Sequence, residues 1–291
     1  MEKFDRKFLK QLYIPAPNST KGENGKVLVI GGSHLFHSSA FWALEIASRI
    51  VDMAYFSSTP MNNEIVKKLK TKFLNGIVVP RDKIEDYIEE ADSVLIGPGL
   101  PRPTGEETGD DDTKILTERL LTKFPDKKWV IDGGSLQVIE PEIVPKTAII
   151  TPNKKEFKML LDLEPNPENA TDMAKKYGIT ILLKGPVDIV CEPFDSAQAV
   201  RGSEEPSGSR RGEIRSMQIL GGNAGMTKGG TGDTLAGLVV ALYAKNGAFL
   251  SASSGSFINK KAGESLFRKV GLYFNASDLV DEIPIVMRDL I

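Results

Sequence analysis

Short apolar runs alternate with longer segments of helical periodicity along most of the chain. Each run is apolar at consecutive positions, a pattern typical of strands that are covered on both faces of a sheet. The segments between the runs repeat their apolar residues every three or four positions, which indicates helices. The predicted strands are Val27–Ile30, Ala54–Phe56, Ile77–Val79, Val94–Ile96, Trp129–Ile131, Ala148–Ile150, Ile181–Leu183 and Val187–Val190. The first predicted helices are Ser38–Ile50, Met61–Phe73 and Asp82–Glu89.

This alternation predicts an α/β fold with a mostly parallel sheet and helices on both of its faces. Ligands bind such sheets at the carboxyl ends of the strands, so residues that directly follow a strand are candidates for a site. Strand signals continue across the midpoint without a linker or repeat, which favours a single domain over residues 1–291. Two polar segments, Gly105–Asp112 and Asp195–Arg215, are interpreted as solvated loops.

Composition narrows the class of protein. The 291 residues carry 37 Lys and Arg against 39 Asp and Glu, a net charge of −2 that argues against a nucleic-acid partner. Cys191 is the only cysteine, which excludes an internal disulfide framework and is compatible with a reducing compartment. The longest apolar run, Leu235–Ala244, is shorter than the roughly 20 residues of a membrane span, and no signal-peptide pattern begins the sequence. We therefore expect a cytoplasmic protein that has no membrane partner.

The stretch 221–237, GGNAGMTKGGTGDTLAG, is the most informative part of the sequence. Its glycines allow the backbone to approach a ligand closely, and they lead into a predicted helix over Thr231–Ala244. A helix N-terminus presents unpaired N–H groups and a partial positive charge, which favours phosphate. Asp233 would lie in the first helical turn, where its carboxylate can accept a proton from a substrate hydroxyl. The simpler alternative is that Asp233 only caps the helix.

Two common phosphate motifs do not fit. Lys228 follows Thr227 and precedes Gly229, so the stretch lacks the Gly-Lys-Ser/Thr of a Walker loop. The first predicted strand ends in Gly31-Gly32-Ser33-His34 without the third glycine of a dinucleotide fingerprint. Taken singly, these glycine turns indicate no function.

Taken in order, the motifs resemble the NAD(P)H-hydrate dehydratase family, a branch of the ribokinase-like superfamily. The similarity runs from about Lys21 to Pro284. The matching segments are KGENGKVLVIGGS (21–33), VLIGPGL (94–100), VIDGGSL (130–136), TPNKKEF (151–157), ILLKG (181–185), GGNAGMTKGGTGDTLAG (221–237), ALYAKNGAFLSASSGSFINKKAGESLF (241–267) and NASDLVDEIP (275–284). The resemblance implies a ribokinase-like three-layer sandwich without a lid. It also implies a stand-alone dehydratase domain without the N-terminal epimerase domain of larger family members.

The activity that the resemblance implies is repair of nicotinamide nucleotides. Hydrated NADH or NADPH would be dehydrated back by a lyase that couples the reaction to hydrolysis of ADP or ATP, with Mg²⁺. Phosphorylation of the ring hydroxyl followed by loss of phosphate accounts for the coupling, because phosphate is a better leaving group than hydroxide. The expected partners are the hydrate and an adenine nucleotide, and a homo-oligomer is expected.

Residue roles follow from the same resemblance. Asp233 matches the base that contacts the hydrate, and no residue is assigned as a metal ligand. The substrate-binding positions are Ser39, Gly99, Asn153 and Asp233. The nucleotide-binding positions are Lys184, Gly185, Pro186, Val187, Asp188, Gly229, Gly230, Thr231 and Gly232.

The sequence departs from the family pattern at three points. Asn153 stands where histidine is frequent, and Ser38-Ser39 stands where a Gly-Ala pair is usual. Gly134 replaces the second acid of the usual Asp-Ala-Asp-Ala run.

Two other functions remain alternatives. A ribokinase-like kinase that acts on a vitamin-precursor alcohol or a sugar would use the same loop and Asp233, and would leave a stable phosphorylated alcohol. A non-catalytic nucleotide sensor would bind nucleotide without turnover.

Overall fold

The computed structural model describes residues 1–101, 109–193 and 214–291. All strands in these ranges lie in a single sheet. Its strand order is β1-β10-β9-β8-β7-β6-β5-β2-β3-β4. In chain order the strands are β1 (Glu2–Lys3), β2 (Lys26–Ile30), β3 (Met53–Ser57), β4 (Ile77–Val78), β5 (Ser93–Ile96), β6 (Lys128–Ile131), β7 (Ile149–Ile150), β8 (Thr180–Leu183), β9 (Asp188–Pro193) and β10 (Ile214–Ile219).

The sheet is mostly parallel, as the sequence predicts. Adjacent strands are parallel throughout the run β8-β7-β6-β5-β2-β3-β4, and β1 is parallel to β10. Strand β9 is antiparallel to both β8 and β10. Register pairs Ile131 of β6 with Ile96 of β5 and with Ile150 of β7, and pairs Ile150 with Ile181 of β8. The residues that follow these strands therefore lie along one edge of the sheet.

Helices cover both faces of the sheet. Leu28 and Ile30 of β2 pack into the core on one face, and Val27 and Val29 pack into the core on the other, as expected from the two-residue period of a strand. The helices are α1 (His37–Ala47), α2 (Pro60–Lys68), α3 (Ile84–Glu90), α4 (Thr113–Lys123), α5 (Gly133–Leu136), α6 (Lys154–Leu161), α7 (Pro167–Tyr177), α8 (Thr231–Tyr243), α9 (Ala248–Val270) and α10 (Ala276–Leu290).

The two layers of helices are distinct. Buried residues of α3, α4, α6 and α7 join one core, and those of α1, α8 and the start of α9 join the other. Helix α10 packs against α8 and α9 and forms a third apolar cluster with them. This three-layer arrangement places the N-terminus of α8 beside the carboxyl ends of the parallel strands.

The structure corrects the interpretation of both polar segments. Strand β10 begins at Ile214, inside the predicted loop Asp195–Arg215, of which residues 195–213 lie outside the described residues. Polar and buried apolar residues alternate along β10. The sequence did not predict this strand because its short alternating pattern directly follows a long polar segment.

The acidic segment Gly105–Asp112 is not simply a solvated loop. Its residues 105–108 lie outside the described residues, but the three aspartates that follow have partners. Asp110 binds His34 Nδ1 at 2.7 Å, Asp111 binds Arg81 at 2.5 Å, and Asp112 caps α4 by accepting from the Ile115 N–H. Solvation is therefore the wrong interpretation for residues 110–112. No helix within the described ranges is long and apolar enough to cross a membrane.

Candidate active site

Three polar side chains meet where β6, β7 and β8 end. Asp132 directly follows β6 and is only 2% exposed. Its Oδ1 accepts a hydrogen bond from the Lys184 ammonium at 2.6 Å and one from the Thr151 hydroxyl at 2.8 Å. A side chain at Gly97 would overlap the Asp132 carbonyl, so glycine is needed there for the backbone to come this close.

The N-terminus of α8 faces the Lys184 ammonium. Gly230 is the N-cap residue in the left-handed conformation, with φ +93°, and Thr231 donates its hydroxyl to the Met226 carbonyl at 2.7 Å. A β-carbon built at Gly232 would lie 3.4 Å from Lys184 Nζ. The first helical turn leaves N–H groups without helical partners, so this end of α8 and Lys184 together suit an anion.

Three carboxylates share the single ammonium of Lys184. Burial and, after it, the charge of Asp132 raise the pKa of Asp233 to about 6, although Lys184 and a hydrogen bond from Ser39 oppose that rise. Burial and the charge of Asp132 likewise raise the pKa of Glu156. The pKa of Lys184 is raised although burial opposes this, because Asp132, Glu156 and Asp233 surround it. Asp233 is therefore a stronger base than an ordinary aspartate.

A cavity of about 630 Å³ opens beside this cluster. Its volume is in the usual range for a site that binds a nucleotide-sized molecule. The β8–β9 connection forms one wall, the glycine-rich loop and the start of α8 form another, and α9 closes it. The lining residues are Asn153, Lys184, Gly185, Pro186, Asp188, Gly221, Gly222, Asn223, Ala224, Met226, Thr227, Thr231, Gly232, Leu235, Asn259 and Lys260.

Two of the predicted substrate residues, Ser39 and Gly99, lie near Asp233 and outside the cavity lining. Ser39 donates its hydroxyl to the Asp233 carboxylate. The space next to Gly99 is occupied by Ser39, whose β-carbon is 3.0 Å from where a Gly99 side chain would begin. Asn153 instead lines the cavity and caps α6 by accepting from the Lys155 and Glu156 N–H groups. The structure thus brings Ser39, Gly99 and Asp233 together.

The predicted nucleotide residues divide into two groups. Lys184, Gly185, Pro186, Asp188, Thr231 and Gly232 line the cavity. The other three positions lie outside its lining: Val187 is 39% exposed, Gly229 has nothing within 4 Å of its side-chain position, and Gly230 packs against the Trp42 ring.

Sequence reasoning missed two residues of α9. Lys260 and Asn259 are 5% and 4% exposed, and both line the cavity. The Asn259 Oδ1 has no hydrogen-bond partner in the part of the chain that the structure describes. Lys260 lies one helical turn after Ser256, on the buried face of α9. A lysine on the buried face of a helix is unusual, and this pattern in the sequence could have identified Lys260 as a candidate site residue.

Gly134 fits its position closely. It is buried in α5, and a side chain there would overlap the Leu100 carbonyl oxygen. The packing around α5 therefore leaves no room for the acid that the family pattern shows at this position.

Comparison with known proteins agrees with this geometry. The family model described as NAD(P)H-hydrate dehydratase matches residues 27–214 and 209–285. An ADP-dependent (S)-NAD(P)H-hydrate dehydratase from Nitrosopumilus maritimus is 32% identical over 301 residues, covering 96% of this chain and 95% of that protein. A bifunctional NAD(P)H-hydrate repair enzyme from Methanocaldococcus jannaschii is 35% identical over 290 residues. The match covers 96% of this chain but 51% of that enzyme, so the chain spans about half its length.

Solved structures share the fold. The ADP/ATP-dependent NAD(P)H-hydrate dehydratase from Bacillus subtilis, co-crystallized with ATP and Mg²⁺, superposes with a TM-score of 0.77 at 19% identity, covering 100% of this chain and 99% of that one. A ribokinase-like superfamily protein from Enterococcus faecalis gives a TM-score of 0.77 at 22% identity, covering 99% and 96%. The three-layer architecture is therefore ribokinase-like. With its match to the family model and to a full-length relative, the chain belongs to the NAD(P)H-hydrate dehydratase family.

Proposed function

We propose that this protein dehydrates hydrated NADH or NADPH to the reduced nucleotide and couples the reaction to hydrolysis of ADP or ATP. The observation that carries the proposal is the position of Asp233. Its carboxylate lies in the first turn of α8, accepts a hydrogen bond from the Ser39 hydroxyl near Gly99, and interacts electrostatically with Lys184, which lines the cavity. A base in this position can act on a hydroxyl next to Ser39 while a phosphate occupies the cavity.

The chemistry then proceeds in two steps. Asp233 accepts the proton of the ring hydroxyl, and the hydroxyl oxygen bonds to the terminal phosphorus of the nucleotide. The bond from that phosphorus to its bridging oxygen breaks, and the shortened nucleotide leaves with the electron pair. Lys184 and the N–H groups at the start of α8 stabilise the charge on the transferred group. In the second step, phosphate leaves with the carbon–oxygen electron pair while the ring nitrogen donates its own pair. Loss of a proton from the neighbouring carbon restores the ring double bond.

The charge balance of the cluster fits a divalent cation that arrives with the nucleotide. Asp132, Glu156 and Asp233 face one ammonium, and phosphates alone would add to this negative surplus. Mg²⁺ in phosphate sites usually needs only one or two protein carboxylates, because phosphate and water oxygens complete its shell. Asp132 is the carboxylate that we expect to serve it, and the ion would neutralise charge on the transferred phosphate.

Turnover of hydrated NADH tests the proposal. With Mg²⁺ and either ADP or ATP, we expect the absorbance of reduced nicotinamide to return as inorganic phosphate is released. Asp233→Asn should lower turnover by about a hundredfold or more, the lower bound for loss of a general base. A stable phosphorylated alcohol as product would instead identify a kinase, and nucleotide binding without any turnover would identify a sensor.

Two further properties belong to the same proposal. We place the enzyme in the cytoplasm, on the support of a single cysteine, Cys191, that is buried and free. A homo-oligomer is proposed as its solution state, to be tested by light scattering.

A further inference from the structure

Lys260 holds the two loops that form opposite walls of the cavity. Its ammonium lies 3.1 Å from the Gly185 carbonyl oxygen and 3.2 Å from that of Pro186, both in the connection after β8. It also lies 3.5 Å from the Gly221 carbonyl oxygen, in the glycine-rich loop after β10. One side chain of α9 thus contacts both walls.

A buried aspartate completes this arrangement. The Lys260 ammonium lies 3.3 Å from Asp188 Oδ1, and both side chains are 7% exposed. Asp188 also accepts from the Gly185 N–H at 2.8 Å and from the Ser256 hydroxyl at 2.7 Å. The carboxylate therefore connects α9 to the same loop that Lys260 holds by its carbonyl groups.

The hydrogen-bond count decides what Lys260 can do. An ammonium has three N–H donors, and Gly185, Pro186, Gly221 and Asp188 already offer four acceptors. No donor is left for a phosphate. Lys260 consequently acts on the nucleotide through the loops, in contrast to Lys184, whose Nζ lies next to Gly232 at the start of α8.

We propose that Lys260 is a positioning residue that fixes the separation of the two cavity walls and so determines nucleotide affinity. This inference rests on the proposed function for the identity of the ligand. Without the ammonium, the Gly185–Pro186 and Gly221 backbones lose their common partner, and the cavity loses the spacing that matches a bound nucleotide. The chemical step at Asp233 keeps all of its own contacts.

The test compares two Lys→Met substitutions in α9. Lys260→Met should raise the KM and Kd for ADP and ATP by about tenfold or more, as expected when contact groups are displaced, while kcat at saturation stays within about threefold. Lys269→Met is the matched control. It also removes an ion pair with a buried carboxylate, that of Glu282, but on a part of α9 outside the cavity lining. The control should lose stability and keep its nucleotide affinity.

A double variant separates positioning from stability. In Lys260→Met/Asp188→Asn no unpaired charge stays buried, so the melting temperature should recover, whereas nucleotide affinity should stay weak because the carbonyl contacts are still absent. If Lys260→Met alone does not fold, the nucleotide affinity can still be measured in this double variant. Recovery of affinity together with stability would overturn the inference, as would an unchanged nucleotide Kd in either variant. If the wild-type protein bound neither ADP nor ATP, the proposed function itself would fail instead.

Discussion

At the scale of single residues, Asp233 illustrates the conflict between catalysis and stability. Its carboxylate is buried close to Asp132, and this environment raises its pKa to about 6. A raised pKa makes the group more basic, which suits proton transfer near neutral pH. The same shift means that the charged form is less stable in the folded protein than in the unfolded chain.

The stability of the Asp233→Asn variant should therefore depend on pH. The pKa is raised above the unfolded value, so this aspartate contributes stability at low pH that is lost as the pH rises through about 6. At pH 8 the variant should be more stable than the wild type by up to roughly 3 kcal/mol, and the difference should shrink toward zero near pH 4. Urea unfolding at both pH values measures it. Equal or lower stability of the variant at pH 8 would show that burial does not strain this carboxylate.

Gly232 offers a second prediction at the residue scale. A methyl group there would lie 3.4 Å from Lys184 Nζ, an ordinary contact, so Gly232→Ala should fold normally. The methyl group would occupy the space between α8 and the ammonium in which we place the phosphate. We expect the nucleotide KM to rise by about tenfold or more, a loss of over about 1.4 kcal/mol in binding. Gly247→Ala is the control, because that side-chain position is open and lies outside the cavity lining. Equal KM values in the two variants would show that the phosphate does not bind next to Gly232.

At the scale of elements, the start of α8 depends on Gly230. The residue adopts φ +93°, and a β-carbon would collide with the Trp42 ring of α1 and lie 2.7 Å from the Ala276 β-carbon of α10. The resemblance implies that Gly230 binds the nucleotide, which stays a prediction because a glycine would do so through its backbone N–H. Its side-chain position points into the packing of three helices. A side chain at Gly230 would therefore disturb this packing.

Gly230→Ala should consequently destabilise the fold. Strain at a left-handed position and overpacking each cost on the order of 1–3 kcal/mol, so the free energy of unfolding should fall by about 2–6 kcal/mol. Gly247, the N-cap of α9, is a matched control because its φ is −77° and nothing lies within 4 Å of its side-chain position. Denaturant unfolding of both variants gives the comparison. A Gly230→Ala protein as stable as the Gly247→Ala control would contradict the packing argument.

At the scale of the whole molecule, the sequence predicted the parallel strands and helices better than the antiparallel strand β10 and the contacts between distant loops. Consecutive apolar residues identified the parallel strands because burial on both faces leaves no polar positions. Strand β10 was not predicted because it is an antiparallel strand near the edge of the sheet. Its polar residues alternate with the buried Met217 and Ile219, so it has no run of consecutive apolar residues. The contacts of Lys260 could not be predicted from the sequence because its partners are backbone carbonyl groups of loops that are distant in sequence. The single domain over residues 1–291 stays a prediction.

The cavity is built from loops and helices that are distant in sequence, and this leads to a prediction for the whole protein. Its walls come from the connection after β8, the glycine-rich loop, and helices α8 and α9. A ligand that binds only the folded state stabilises the whole protein, by about 2.7 kcal/mol at a free concentration one hundred times Kd. ADP or ATP with Mg²⁺ should therefore raise the melting temperature progressively with concentration, whereas inosine without phosphates should not at the same concentrations. The rise should need higher nucleotide concentrations in Gly232→Ala and should be unchanged in Gly247→Ala. A melting temperature that no adenine nucleotide shifts would leave the cavity without its proposed ligand.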